Sequence, residues 1–212
     1  DGHRLLLPAE AAGAPGHRIG DHVHRFEHLE GDAGHGGVKS GAEREGIMEK
    51  DINLAIVKAF QKLFDQQKDS KIGVFYTRLE DEDISLEQRV GLANALKAAL
   101  FLSVHCNSTA SSTAAAVLNG TQVLYDEADR SEHSSKQLAE ICLREMCSEL
   151  SSKDMGLLRG DEIYIIRNSK APVALIETGF MTYHTELEKL NSGDYQKKGA
   201  QGIYNSIKRA FE

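Results

Sequence analysis

Residues 72–105 read IGVFYTRLEDEDISLEQRVGLANALKAALFLSVH, and the apolar period changes twice within them. Residues 72–77 have the short, β-branched and aromatic character of a strand. Ser85 followed by Gln88 three residues on is a capping-box signature; it opens a predicted helix that carries Leu86, Val90, Ala93 and Leu96. Residues 100–105 are an apolar run ending in His105, read as a buried strand. Upstream, Ile52, Ala55, Ile56, Ala59, Phe60 and Leu63 recur at helical spacing and predict an amphipathic helix over 50–64. Downstream, 107–120 is a small, polar loop, 121–125 a strand and 134–150 a helix. Residues 163–166 and 173–177 read as two further strands, and Ala200, Ile203, Tyr204, Ile207 and Phe211 mark a C-terminal helix. Strands alternating with helices predict an α/β fold with three layers, α/β/α, in which helices flank a largely parallel mixed sheet.

The 212 residues are 41% apolar and 27% charged, enough to bury one core without disulfide or metal staples. With 25 Lys and Arg against 32 Asp and Glu, the net charge is −7, so nucleic acid and anionic membranes are poor partners. No apolar run is long enough for membrane insertion, and the N-terminus lacks the charged, apolar and small-residue order of a signal peptide. Cys106, Cys142 and Cys147 form no CxxC pair and no disulfide framework. Residues 1–30 hold five of the nine histidines, two of the three prolines and no clean period, and are expected to be an irregular tail. The domain is expected over 31–212, starting at the glycine-rich turn Gly31-Asp32-Ala33-Gly34-His35-Gly36-Gly37.

Ligands of open α/β sheets gather outside one end of the strands, which directs attention to polar residues there. His35 stands in the glycine-rich turn, His105 closes Phe101-Leu102-Ser103-Val104, and Glu177 closes Val173-Ala174-Leu175-Ile176. Glu49 opens the first predicted helix beside its apolar stripe. Two imidazoles and a carboxylate with an open fourth position are the donor set of a hydrolytic zinc site, and a nearby free carboxylate would be its base. Their separations match no short zinc signature such as HExxH. Taken singly, each residue also has an ordinary reading. A histidine at a strand end is commonly a packing group, and a glutamate in a first helical turn is favoured by the helix dipole. His22, His24 and His28 make a rival metal cluster in the tail, without a carboxylate partner. Strand alternation points Cys106 away from His105, as a core thiol, while Asn107 either orients a ligand or caps the following loop.

The strings Asp32-Ala33-Gly34-His35-Gly36-Gly37, Glu49-Lys50-Asp51, Thr77-Arg78, Leu86 with Arg89, Ala93-Asn94, Ser103-Val104-His105-Cys106-Asn107, Arg159-Gly160 and Ala174-Leu175-Ile176-Glu177-Thr178-Gly179-Phe180 occur in this order. Together they resemble the zinc-dependent N-acetylmuramoyl-L-alanine amidases of the autolysin and endolysin type, over about 31–211. The resemblance implies that His35, Glu49 and His105 hold one zinc ion and that Glu177 is the catalytic carboxylate. It implies hydrolysis of the amide between the lactyl group of N-acetylmuramic acid and L-alanine in peptidoglycan. The expected setting is outside the cytoplasmic membrane, as a monomer, with any activator protein left open. Arg78 and Arg159 match family positions; they either meet substrate carboxylates or are solvated or salt-bridged. Two alternatives stay open: a non-catalytic peptidoglycan-binding domain, and a zinc peptidase cutting within the stem peptide. Family members usually carry an apolar strand before the histidine turn, whereas His24-Arg25-Phe26-Glu27-His28-Leu29-Glu30 alternates poorly and would bury charge. Regulated members carry a long helical insertion after the His-x-Asn string; 106–120 is too short for one, which predicts an open site.

Overall fold

The computed structural model describes residues 27–66, 72–129 and 134–212. In chain order its elements are β1 (Glu27–Ala33), β2 (Glu43–Arg44), β3 (Ile47–Met48), α1 (Glu49–Asp65), β4 (Ile72–Tyr76), α2 (Leu86–Leu96) and β5 (Leu100–Asn107). There follow α3 (Ser112–Ala115), β6 (Thr121–Tyr125), α4 (Ser135–Leu150), β7 (Asp154–Arg159), α5 (Tyr164–Asn168), β8 (Val173–Phe180), α6 (His184–Leu190) and α7 (Gly193–Ala210). Six strands form one sheet in the order β4-β1-β5-β8-β6-β7, and β2 with β3 make a separate small ribbon. β4, β1, β5 and β8 are mutually parallel; β6 runs antiparallel to β8, and β7 is parallel to β6. This is the three-layer, largely parallel mixed sheet expected from the alternation.

Period two sorts the side chains of β5 between the two faces. Leu100, Leu102, Val104 and Cys106 join the larger core with Ile52, Ile56 and Phe60 of α1, Leu138 and Met146 of α4, and Ile203 of α7. Phe101 joins the smaller core with Val90 and Ala93 of α2, Ile165 and Ile166 of α5, and Val173 and Leu175 of β8. Ser85 and Gln88 cap α2 reciprocally, as their spacing predicts, and Ser134 with Gln137 does the same for α4. Leu86, expected on the apolar stripe of α2, is instead 47% exposed at its first turn.

Three readings of the chain need correction. Residues 163–166, expected as a strand, are instead the N-cap Ile163 and the first turn of the short helix α5, which buries Ile165 and Ile166 against β8. A brief apolar run carries no period long enough to separate strand from helix, and the place beside β6 is taken by β7, an unassigned stretch. The loop 107–120 contains the one-turn helix α3, which buries no residue. β1 begins at Glu27, four residues before the expected domain start, and it does bury charge: Glu30 is fully buried with neither carboxyl oxygen hydrogen-bonded. Of the tail expected over 1–30, residues 1–26, with His22 and His24, lie outside the described residues; His28 packs edge-on against Phe75.

Candidate metal centre

At the C-terminal edge of the parallel strands, a loop from β1, the start of α1 and the end of β5 bring His35, Glu49 and His105 together. Their ligand atoms all lie within 4.8 Å of one another. Glu49 Oε1 is 3.2 Å from His35 Nε2 and 2.9 Å from His105 Nδ1, and the two rings meet edge-on with centroids 4.9 Å apart. Among the described residues this is the group of His, Cys, Asp or Glu side chains spaced to hold a metal ion. Two nitrogen donors and one carboxylate oxygen converging on one point are a borderline-soft set that fits zinc.

Each side chain is aimed by its local backbone. The α1 N-terminus has no side-chain cap; the preceding loop supplies the partners, with Glu49 N donating to Ala42 O at 2.9 Å and Lys50 N to Ser40 O at 3.0 Å. The Glu49 carboxylate is then held from behind. Its Oε2 accepts from Ala42 N at 2.8 Å, and its Oε1 accepts from Cys106 N at 3.1 Å and Asn53 Nδ2 at 3.4 Å. Burial pushes the Glu49 carboxyl up, but hydrogen bonds from His105 and His35 outweigh it and hold the group well below the usual carboxylate range. His105 is shifted the other way. Burial lowers its pKa, while the hydrogen bond to Glu49 and the Glu177 and Glu49 charges raise it above the ordinary histidine value. His35 turns toward the cluster through a left-handed backbone, φ +61°, a conformation that costs a non-glycine residue about 1 kcal/mol or more. Beside it, a Cβ on Gly34 would lie 2.3 Å from the His105 ring, so only glycine lets the two segments approach.

Glu177 is the in-register partner of His105 on the adjacent parallel strand, so both side chains leave the same face of the sheet. Its Oε2 is buried and lacks a hydrogen-bond partner. Burial pushes this carboxyl up to about 7, with the His105 charge pulling it down and the Glu49 charge adding to the rise. Thr178 Oγ1 donates to His105 O at 3.0 Å and fastens β8 to β5 at this level.

The remaining residues singled out from the chain sort differently. Cys106 is a buried thiol beside Thr178 Oγ1 at 3.3 Å, as the alternation predicts. Asn107 follows a register shift in β5 and caps the next turn, its Oδ1 accepting from Ser108 N at 2.8 Å. Arg159 is exposed and paired with Asp161. Arg78 is neither solvated nor salt-bridged: it is buried and donates to the carbonyls of Ala33, Gly34, Lys50 and Glu80. Sequence reading gave no role to three supporting groups. Asn53 reaches Glu49, Arg89 donates to His35 O, and buried Glu186 accepts from Gly120 N at 2.9 Å and Phe180 N at 2.6 Å, tying the end of β8 to the loop before β6. A tight turn leaves carbonyls off the sheet ladder and so demands donors, but nothing local says which distant side chain supplies them.

The sequence pattern of the N-acetylmuramoyl-L-alanine amidase family matches residues 32–209. YqiI of Bacillus subtilis (strain 168), itself uncharacterized, is 36% identical over 181 residues, spanning 85% of this chain and 83% of that protein. The N-acetylmuramoyl-L-alanine amidase LytC of the same organism is 34% identical over 174 residues, which are 82% of this chain and 33% of LytC. Among solved structures, the catalytic domain of CwlV, an N-acetylmuramoyl-L-alanine amidase from Bacillus (Paenibacillus) polymyxa var. colistinus, superposes with a TM-score of 0.78 at 31% identity, covering 87% of this chain and 98% of that domain. With a match that runs over residues 32–209, from the end of β1 through α7, the chain belongs to the N-acetylmuramoyl-L-alanine amidase family.

Proposed function

We propose that this protein is a zinc-dependent hydrolase of peptidoglycan that cuts the amide between the lactyl group of N-acetylmuramic acid and L-alanine of the stem peptide. The observation that carries this reading is the convergence of His35, Glu49 and His105 with Glu177 in register beside them. His35, Glu49 and His105 would hold one zinc ion. When bound at such a site, zinc supplies a Lewis acid that polarises a carbonyl and lowers the pKa of water. Glu177 would take a proton at its unpartnered Oε2 and return it to the leaving nitrogen, acting as general base and then general acid. Ala42 N, Cys106 N and Asn53 keep Glu49 facing the two imidazoles, an outer layer that typically matters for metal affinity. One chain supplies all four side chains, so a monomer suffices. The substrate puts the site of action outside the cytoplasmic membrane.

The test is mass spectrometry of products after zinc-loaded protein is incubated with purified peptidoglycan. Stem peptides with a free L-alanine amine, and glycan with an intact lactyl carboxylate, are expected. Cleavage within the stem, or none by a folded zinc-loaded sample, would overturn the assignment. Glu177→Ala should keep its zinc and lose about 10²- to 10⁴-fold in kcat; an unchanged rate would remove Glu177 from the proton transfer.

A further inference from the structure

The turn that presents His35 leaves the sheet ladder after Gly34 N donates to Val104 O at 3.0 Å. From there three successive carbonyls, those of Ala33, Gly34 and His35, point to two buried guanidinium groups. Arg78 serves the first two, with Nε to Ala33 O at 2.8 Å and Nη2 to Gly34 O at 2.9 Å, and it also reaches Lys50 O at the start of α1. Arg89, from α2, donates through Nη1 to Ala33 O at 2.8 Å and through Nη2 to His35 O at 2.6 Å. The same Nη1 pairs with Asp32 Oδ1. Asp32 is itself fixed by Thr77 Oγ1 and Ser103 Oγ, each 2.6 Å away, so the anchor joins β1 to the residue after β4 and to β5, two residues before His105.

We propose that Arg89 is a positioning residue for the metal centre: its guanidinium grips the His35 carbonyl and holds that residue in its left-handed conformation, so that the imidazole stays on Glu49 and His105. The inference rests on the zinc reading above and deepens it. The planar fork is what the task requires. Arg89 spans a carboxylate oxygen and two backbone carbonyls in fixed directions, whereas a lysine ammonium is a point charge on a flexible stem and cannot hold all three at once. Without the grip, the non-glycine residue at φ +61° relaxes toward ordinary backbone and carries its ring away from the cluster.

The experiment compares wild type, Arg89→Lys and Val90→Ala. Val90 is buried on the same helix and touches the smaller core, so its truncation lowers stability without reaching the His35 turn. Zinc affinity is measured by competition with a chromophoric chelator, the site is read by the visible spectrum of the cobalt-loaded protein, and the thermal midpoint is followed in parallel. Arg89→Lys should weaken zinc binding roughly 10- to 100-fold and alter the cobalt spectrum, while Val90→Ala keeps both within about twofold at a comparable loss of midpoint. Equal zinc affinity in Arg89→Lys and wild type, or equal weakening in both variants, would overturn the positioning role. If Arg89→Lys does not fold, the isosteric Asp32→Asn carries the test: it releases the guanidinium from its anchor and should weaken zinc as well, and unchanged affinity overturns the proposal. A wild-type protein that binds no zinc would instead sink the metal-centre reading.

Discussion

Glu30 and Asp32 stand two residues apart on β1 and have opposite fates. Burial pushes the Asp32 carboxyl up, but the Arg89 charge and hydrogen bonds from Ser103 and Thr77 hold it below the ordinary value. Glu30 has no hydrogen-bond partner, and burial, joined by the Asp32 charge, pushes it up to about 9 against the pull of Arg89. The folded protein therefore keeps a proton on Glu30 that the unfolded chain releases near 4.5, so Glu30 costs stability progressively as pH rises from that value toward 9. Glu30→Gln is neutral throughout. Its stability advantage over wild type in urea unfolding should grow by at least about 1 kcal/mol from about pH 5 to about pH 8; parallel curves would mean that Glu30 titrates as an exposed residue. Gly34 makes a second prediction at this scale. Gly34→Ala places a methyl 2.3 Å from the His105 ring, which must leave Glu49 to make room. Zinc affinity should fall at least about tenfold with the far-UV circular dichroism unchanged, and retained affinity would show that the ring has somewhere else to go.

Among the elements, α2 links local sequence to the site. Its N-terminus is defined by the capping box, with Gln88 N donating to Ser85 Oγ at 3.2 Å and Ser85 N to Gln88 Oε1 at 2.9 Å. One residue later Arg89 enters the interior, its Nε donating to Ile84 O at 3.1 Å. Ser85→Ala removes one acceptor of the cap and should cost about 1 kcal/mol in chemical denaturation. No loss would indicate that the packing of Val90 and Ala93 alone sets the start of this helix. α1 shows the alternative device. With no side-chain cap at Met48, its first amides are satisfied by the carbonyls of Ala42 and Ser40, and the same loop positions Glu49 at the helix start. A cap made by the loop couples the helix to the histidine turn, so element and site are built from the same hydrogen bonds.

At the scale of the molecule, the proposed zinc ligands tie together parts of the chain that meet only through tertiary packing. A metal that binds the folded state and not the unfolded chain stabilises it by mass action, by about 2.7 kcal/mol at a hundredfold excess over Kd. The thermal midpoint should therefore rise on zinc addition and fall on chelation. His105→Ala should abolish that response, because it removes one of the two imidazoles. A midpoint indifferent to zinc in wild type would count against the centre, whereas an unchanged response in His105→Ala would move the bound metal elsewhere.

Much of this was readable along the chain. The alternation of strands and helices, the cap at Ser85 and the place of Glu49 at the start of a helix follow from period, cap chemistry and donor type, all of which are local properties, whereas β5 and β8 run on past His105 and Glu177 to Asn107 and Phe180. Resemblance of ordered motifs then joined four distant residues that spacing alone left separate. The order of strands in the sheet, the helical state of α5 and the buried carboxyl of Glu30 were decided by packing, because a short apolar run or a lone glutamate takes its conformation from whatever covers it. The two arginines beneath the histidine turn belong to the same class. Their partners are backbone carbonyls up to 56 residues away, and a carbonyl is a feature of every residue, so only the folded chain shows which ones face inward and need a donor.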